Sequence, residues 1–306
     1  MSLWKRVIAA ARRINGMSRK LQLIQESLGR IESRQIVMNA RSADEAEFKV
    51  YSQWGEDGII QYLIANVPIE RKLFVEFGVE NYRESNTRFL LINNYWAGLV
   101  IDGSAENIQD IRNDMVYWGY NLKADHAFIT RDNINELITR NGLKGDIGIL
   151  SVDIDGNDYW VWEAITSVNP RIVICEYNSL FGPRAKVSTP YDPAFVRDRA
   201  HYSKVYYGAS ISALHDLANR KGYSLVAGNS AGNNVFFVRN DLLGNLKAVA
   251  PEKCYRRSCF REFHDQQGNL TFDDFETRLS KIGDLPVFDF SADQVARIKD
   301  VAGIGD

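Results

Sequence analysis

Two oxygen-rich turns stand at the ends of apolar runs. One reads Leu150-Ser151-Val152-Asp153-Ile154-Asp155-Gly156-Asn157-Asp158, the other Ile174-Cys175-Glu176-Tyr177-Asn178. If the runs are neighbouring parallel strands, their tips lie about 5 Å apart. Asp153 and Glu176 can then share one cation at the roughly 2.0–2.6 Å oxygen distances that Mg²⁺ or Ca²⁺ requires. Asp155 and Asn178 would complete the shell. A cation there relieves the repulsion between the acids, lowers the pKa of a bound hydroxyl and fixes its direction. The metal-free alternative has Asp153 and Asp155 orienting substrate or capping a helix.

A second pair of turns lies upstream. Phe74-Val75-Glu76-Phe77-Gly78-Val79-Glu80-Asn81 closes one run and Leu99-Val100-Ile101-Asp102-Gly103-Ser104 the next, with Asp102 lying 26 positions after Glu76 (102 − 76). An acid so placed clasps ribose hydroxyls, and Gly78 lets backbone approach a ligand closely. A dinucleotide site would need two further glycines and a helix N-terminus facing a pyrophosphate, whereas this turn offers Glu80 and Glu84. Acids repel phosphate and suit a sulfonium cation. Ser52 and Gln53 stand in the polar segment Tyr51–Gly58, just before a helical pattern, where they contact the ligand or, for the serine, cap the helix.

A hydroxyl acceptor also needs a base. Of the four histidines, His201 is the first candidate, because it sits in the polar run Arg197–Ser203 that follows the last acid turn; His126 lies nearer the expected nucleoside end and His215 within a helix. With Asp153 it forms the catalytic pair. The stretch from Phe181 to Tyr207 is too long for an ordinary connection, and such loops are usually functional. Tyr191, Tyr206 and Tyr207 offer faces for a sugar ring, and Arg184, Lys186, Arg197 and Arg199 offer charge for a carboxylate or phosphate.

The elements that must position these groups are legible from Ala46 onward. Strand-like runs at Leu73–Phe77, Gly98–Ile101, Ala127–Ile129, Ile147–Val152 and Arg171–Cys175 alternate with helical segments. A helix at Ser210–Lys221 and strands at Ser224–Ala227 and Asn234–Val238 follow. This predicts an α/β, Rossmann-like fold: a mostly parallel sheet with helices on both faces and a C-terminal antiparallel hairpin. The expected division is an N-terminal helical region over 1–45, the catalytic domain over 46–245, and a C-terminal extension or lid over 246–306.

In the first of these, Lys5, Arg6, Arg12, Arg13, Arg19 and Lys20 interleave with Leu3, Trp4, Val7, Ile8 and Ile14. That is a basic amphipathic helix, either a peripheral membrane contact or a solvated terminus. Leu21, Ile24, Leu28, Ile31 and Met38 then keep a heptad step, which pairs copies of the chain into a homo-oligomer or packs on the chain's own domain.

At 306 residues, with 45% hydrophobic and 25% charged residues, the chain needs no disulfide to build a core, and its net charge of −2 gives no global pull toward nucleic acid. Three cysteines, an odd count, fit a reducing cytoplasm. Cys254, Cys259 and His264 are too few ligands for zinc. No apolar stretch reaches the roughly 18 residues of a membrane span, and no signal-peptide pattern opens the chain, so the mature protein is expected to begin where the sequence does.

The segments Ser-Gln-Trp-Gly-Glu-Asp (52–57), Phe-Val-Glu-Phe-Gly-Val (74–79), Ser-Asn-Thr (85–87) and Trp-Ala-Gly-Leu-Val-Ile-Asp (96–102) resemble the FkbM-type class of S-adenosylmethionine (SAM) dependent methyltransferases. The resemblance implies methyl transfer to a hydroxyl, often on a sugar of a surface glycan, with SAM contacting Glu76 and Gly78, Asp102 on the ribose and Asn86 or Thr87 nearby. Gln53, Gly103 and Ser104 complete the expected cofactor set. The Asp-x-Asp-x-x-x-Tyr spacing with an acid and an asparagine at the next strand end is similar to the metal-dependent catechol and caffeoyl-CoA O-methyltransferases, implying Mg²⁺ or Mn²⁺. Here Tyr177 separates Glu176 from Asn178, whereas that family has its two ligands adjacent. The sequence-based expectation is therefore a SAM-dependent O-methyltransferase acting on a glycan or glycolipid hydroxyl at the cytoplasmic membrane face. The alternatives are a NAD- or nucleotide-sugar-dependent oxidoreductase on the same fold and a non-catalytic oligomerising scaffold.

Overall fold

The computed structural model describes residues 3–305, and the backbone alone at residue 3 and over residues 5–15. A long helix, α1 (Leu3–Asn39), precedes α2 (Glu56–Asn66), β1 (Leu73–Phe77), α3 (Arg88–Asn93), β2 (Ala97–Asp102), α4 (Ala105–Asn113), α5 (Met115–Gly119), β3 (Leu122–His126), α6 (Ile134–Arg140), β4 (Gly145–Val152), α7 (Asp158–Ala164) and β5 (Val168–Glu176). Then come β6 (Val187–Ser188), α8 (Arg197–Ala200), α9 (Ile211–Lys221), β7 (Tyr223–Gly228), β8 (Asn234–Arg239), α10 (Pro251–Cys254), α11 (Phe275–Ile282), β9 (Pro286–Asp289) and β10 (Gln294–Arg297).

The fold is Rossmann-like. Its main sheet has seven strands in the order β3-β2-β1-β4-β5-β8-β7. Strands β1 to β5 run parallel, and β8 runs antiparallel to both β5 and β7. Successive residues of a strand face opposite sides of its sheet. Val75 and Leu150 accordingly enter one apolar layer with Trp162, Leu214 and Phe237, while Phe74 and Ile149 enter the other with Ile60, Leu90 and Phe236. Each fully buried side chain of this kind contributes roughly 1.5–3 kcal/mol. The strand order reverses between β1 and β4, which opens a crevice at their carboxyl ends.

Two sequence expectations need correction, and a third gains detail. The third strand is Leu122–His126, not Ala127–Ile129. It is an edge strand that alternates buried Leu122 and Ala124 with exposed Lys123, so its apolar signal is weak. The apolar run lies just past it and walls a cavity described below. The two helical patterns before residue 40 are one helix. In the C-terminal segment, expected as an extension or lid, β9 and β10 form a hairpin whose β9 pairs with β6 in a separate three-stranded antiparallel sheet. Phe263, Phe275, Ile282, Val287 and Ile298 pack there against Leu180, Phe181 and Val205. The long 181–207 connection and the C-terminal segment thus build one second layer together.

Helix α1 meets the domain with a face the heptad reading did not use. Gly29 lies so close to Val50 and Phe89 that a Cβ would stand 2.4 Å from Val50 Cγ2 and 3.0 Å from the Phe89 ring. Beside it the Gln25 amide donates to the Val50 carbonyl (2.5 Å), and Tyr51 Oη donates to Glu26 (2.6 Å). The heptad residues Leu21, Ile24, Leu28, Ile31 and Met38 are all exposed, from 52% at Ile31 to 81% at Met38. Most of the expected basic face, Lys5, Arg6, Arg12 and Arg13, has side chains outside the described residues. Among the described residues no helix is long and apolar enough to cross a membrane.

Candidate functional site

The crevice is held open and shaped by one close approach. Gly78, at φ +65°, presses on the turn after β4 so tightly that a Cβ would stand 1.8 Å from the Asp153 carbonyl oxygen. Its N–H donates to the Ile101 carbonyl (3.1 Å), so the tips of β1, β2 and β4 are tied at one point. The β4 turn is folded from below by buried Asp158, whose carboxylate accepts from Ile154 N (2.7 Å) and Gly156 N (2.9 Å). Asp155 takes the left-handed conformation there (φ +55°), which is uncommon for a residue with a Cβ.

A cleft of ≈ 860 Å³ opens at this point, lined by Gln53, Glu76, Gly78, Glu80, Glu84, Asn86, Asp153, Asp155, Glu176, Arg197 and Asn234 among others. Six of its lining residues are acidic and Arg197 is its one cation. Carboxylate oxygens of Asp153, Asp155 and Glu176 all lie within 4.8 Å of one another. Glu176 is buried, and its Oε2 has no hydrogen-bond partner. Desolvation, with repulsion from the neighbouring acids, pushes Asp153 and Glu176 well above the usual carboxylate range. Arg197 closes the outer side. Its Nη1 pairs with Asp155, its Nη2 with Glu262 (2.8 Å), its Nε donates to the Lys204 carbonyl (2.6 Å), and the guanidinium lies 3.8 Å over the Tyr207 ring.

A side groove of ≈ 660 Å³ continues from the cleft between Gly78, Asp102, Gly103, Phe128, Ile129, Ile154, Asn157 and Phe195. The apolar residues 127–129 are its wall. Beyond Phe128 and Phe195, a wider outer groove is bordered by Arg197, Lys204, Arg261, Glu262, His264 and Leu270.

The expected site residues divide between these spaces. Gln53, Glu76, Gly78, Asn86, Asp153, Asp155 and Glu176 line the acid cleft, and Asp102 and Gly103 line the side groove. Glu76 also binds backbone: its carboxylate accepts from Asn86 N (2.8 Å), Thr87 N (3.1 Å) and Thr87 Oγ1 (2.5 Å). Burial lifts Glu76 to about 7 despite those donors. Asp102 accepts from Glu80 N and Ser104 N (2.8 Å each) and from Asn107 Nδ2 (3.1 Å).

Four expected residues stand outside these spaces. Thr87 is spent on Glu76, and Ser104 caps α4 by accepting from Asn107 N (3.3 Å). Asn178 donates to the Val205 and Tyr207 carbonyls (2.8 and 3.0 Å) and accepts from Leu180 N (3.0 Å), so it holds the connection after β5 and is not in the acid cluster. His201 lines neither cleft nor grooves; its Nδ1 meets Ser203 Oγ at 2.7 Å.

Of the aromatic and basic candidates, Tyr206 and Tyr207 are buried and therefore no platform for a sugar, while Tyr191 lies under Arg131 (4.0 Å). Lys186 pairs with Asp216 (2.7 Å). Sequence reasoning passed over Asn234, and it weighed His264 only as one of too few ligands for zinc. Neither sits in a recognisable spacing, since one starts the reversed strand and the other follows it by 30 residues (264 − 234).

No family model matches the chain, and no curated protein matches it. Similar solved structures include a Staphylococcus aureus protein assigned as a caffeoyl-CoA O-methyltransferase (17% identity, TM-score 0.40, covering 60% of this chain and 82% of that one). Another is a SAM-dependent methyltransferase of Clostridium acetobutylicum (11%, 0.38, 60% and 90%). A third is an O-methyltransferase of Bacillus cereus in complex with S-adenosylhomocysteine (12%, 0.34, 55% and 74%).

The buried acids make stability depend on pH with a definite sign. Burial raises Glu76 from 4.5 to about 7, and Asp57 and Asp158 from 3.8 to about 6. A raised carboxyl binds its proton more tightly when folded, so its contribution is complete below the unfolded value and is lost as pH rises through the folded one. In chelator, the melting temperature is expected to fall by a few degrees between about pH 4 and about pH 7, and Glu76→Gln should flatten the upper part. A melting temperature that rises with pH across that window contradicts this account.

Proposed function

We propose that the chain is a SAM-dependent O-methyltransferase of the FkbM type, assisted by Mg²⁺ or Mn²⁺, acting on a hydroxyl of a glycan or glycolipid. The observation that carries the reading is the acid cleft joined at Gly78 to a groove bordered by Asp102. Six acids against one arginine favour a cationic ligand and disfavour a pyrophosphate. Gly78, packed against the Asp153 carbonyl, ties together the two turns whose acids line the cleft, and it borders both the cleft and the side groove. In this reading the nucleoside end occupies the side groove between Phe128, Ile154 and Asp102, and the amino-acid end the cleft near Glu76, Asn86 and Gln53.

The donor set fits a hard cation. It is all oxygen, clustered within 4.8 Å, with one oxygen of Glu176 unpartnered. Asp153, Asp155 and Glu176 would hold the ion, whose chemistry is to lower the pKa of the acceptor hydroxyl. SAM, when bound, supplies an electrophilic methyl carbon on a sulfonium. His264 is assigned the base, in place of His201. Its Nδ1 faces the Glu262 carbonyl at 2.8 Å, and a carbonyl only accepts, so Nδ1 carries the hydrogen and Nε2 is the nitrogen left with a lone pair in the neutral ring, on a residue that borders the outer groove. In methyl transfer from SAM to the acceptor oxygen, with S-adenosylhomocysteine as the leaving product, His264 Nε2 would take up the hydroxyl proton. Phe128 and Phe195 would face the acceptor's apolar side, and Lys204 and Arg261 an anionic group on it.

Titration calorimetry discriminates the cofactor. SAM is expected to bind and NAD not, and Asp102→Asn should weaken SAM roughly 10-fold or more, the scale of a charge-assisted hydrogen bond. Tight binding of NAD, or unchanged SAM affinity in the variant, refutes this assignment. In turnover with a glycan acceptor, EDTA should abolish transfer and Mg²⁺ or Mn²⁺ restore it. His264→Gln should lower kcat about 100-fold, with His201→Gln near wild type. Full activity in chelator removes the metal, and the opposite ranking of the histidines removes His264.

The exposed seam of α1 supports a homo-oligomer formed through Leu21, Ile24, Leu28 and Ile31, since the helix's other face is already used by its own domain. Replacing Ile24 and Leu28 by Glu should lower the mass seen in sedimentation to that of the monomer. A wild-type chain that sediments as a monomer at micromolar concentration rejects the seam, and a multimer that survives the substitutions places its interface elsewhere.

A further inference from the structure

Asn234 opens β8 directly across the antiparallel pair from Glu176. Directly opposed residues project from the same face with Cβ atoms about 4.5–5.5 Å apart. Asn234 lines the acid cleft with Asp153, Asp155 and Glu176, yet it is only 3% exposed.

Its amide orientation is set by a chain of contacts that runs away from the cleft. Asn229 Oδ1 accepts from the backbone N–H groups of Gly232, Asn233 and Asn234 (3.1, 3.1 and 3.0 Å), which commits Asn229 Nδ2 to donate to Glu56 Oε1 at 2.7 Å. Glu56 is completely buried, and its other oxygen accepts from Trp54 N (2.9 Å). Asn234 Nδ2 donates to the same Oε1 of Glu56 at 2.9 Å. A carboxylate only accepts, so turning the amide over would set oxygen against oxygen.

Asn234 Oδ1 is thereby held on the other side, buried, and it has no hydrogen-bond partner. A buried acceptor without a donor costs on the order of 1–3 kcal/mol. The carboxylates it shares the cleft with are acceptors too when ionised. Two unpartnered buried oxygens, Glu176 Oε2 and Asn234 Oδ1, thus stand on facing residues beside Asp153 and Asp155. What satisfies such a set at once is a cation with hard, oxygen-seeking chemistry.

We infer that Asn234 Oδ1 is the fourth protein oxygen of a divalent-cation site formed with Asp153, Asp155 and Glu176, and that Glu56 is its positioning residue. The inference rests on the metal reading proposed above and deepens it. It assigns the fourth oxygen to β8, not to Asn178 after β5.

The test measures Mn²⁺ alone binding to the full chain, by electron paramagnetic resonance of free Mn²⁺, without SAM or acceptor. Wild type should bind one ion. Asn234→Ala should weaken binding about 10-fold or more, and Asn234→Asp combined with Glu56→Gln, which replaces the opposing carboxylate by an amide able to donate to the new one, should bind more tightly than Asn234→Ala. That contrast reads the donor oxygen independently of the lost packing. Glu56→Gln should weaken binding about 10-fold, in the range seen when groups that orient metal ligands are removed. Glu176→Gln should lose most of the binding. If Asn234→Ala binds Mn²⁺ like wild type while Glu176→Gln does not, Asn234 is no ligand and the metal reading stands. If wild type binds no Mn²⁺ at all, both fail together.

Discussion

Like charges crowded at the end of a sheet are the condition to which the rest of the molecule answers. Asp153, Asp155 and Glu176 are kept within 4.8 Å of one another, so that burial and mutual repulsion push Asp153 and Glu176 well above the usual carboxylate range. Repulsion of this kind works to spread the β4 turn. It is opposed by Asp158, which draws the Ile154 and Gly156 N–H groups inward, and by the glycine at 78, against which the Asp153 carbonyl rests. Asp155 accepts a left-handed backbone in consequence. An outlier of this kind costs of order 1–3 kcal/mol and persists only where the surroundings impose it.

Arg197 partly offsets the repulsion, and its anchoring explains the second layer of the fold. One end of the guanidinium meets Asp155 and the other Glu262, a residue of the C-terminal segment, while its face lies on Tyr207. The connection after β5 and the C-terminal segment therefore meet at the mouth of the cleft. Neither could hold Arg197 alone. Their shared apolar cluster, with Phe263 next to Glu262, fixes the carboxylate that orients it. The same packing puts His264 on the wall of the outer groove.

The parallel core was legible because its strands are buried on both faces and read as apolar runs: β1, β2, β4 and β5 fall where Leu73–Phe77, Gly98–Ile101, Ile147–Val152 and Arg171–Cys175 placed them. Edge strand β3 was displaced because its exposed positions dilute the signal and a cavity wall follows it at once. The small sheet was invisible for another reason: β6 has only two residues, and its partners lie about 100 positions away, so no local pattern announces the pairing. In the site, acids at strand ends were readable because the fold dictates that such tips converge. Asn178 failed since the chain turns directly after Glu176, and that turn consumes every polar group the asparagine has. Asn234 was hidden because the reversed strand delivers its first residue, not its last, to the crevice.

Residue type alone does not separate scaffold from site here, for both are built of the same carboxylates and amides. Glu56, Asp57, Glu76, Asp102 and Asp158 are all acids at or near the crevice. Each has backbone or side-chain N–H groups aimed at its oxygens: three backbone donors for Asp57, two for Asp158, three donors for Asp102. Such donors fold the turns and fix the carboxylates, both in acids that serve the scaffold, such as Asp57 and Asp158, and in Glu76 and Asp102, which also border the cleft and the side groove. Among the described residues Asp57 Oδ1 and Asn157 Oδ1 are buried without a partner as well, but only Glu176 and Asn234 carry such oxygens on facing residues that both line the acid cleft. Folding ordinarily eliminates such oxygens. Where two survive on facing residues beside further acids, the missing partner is external, and its charge must be opposite to theirs. The unspent valence, more than the count of acids, marks where the chain ends its own structure and begins to bind.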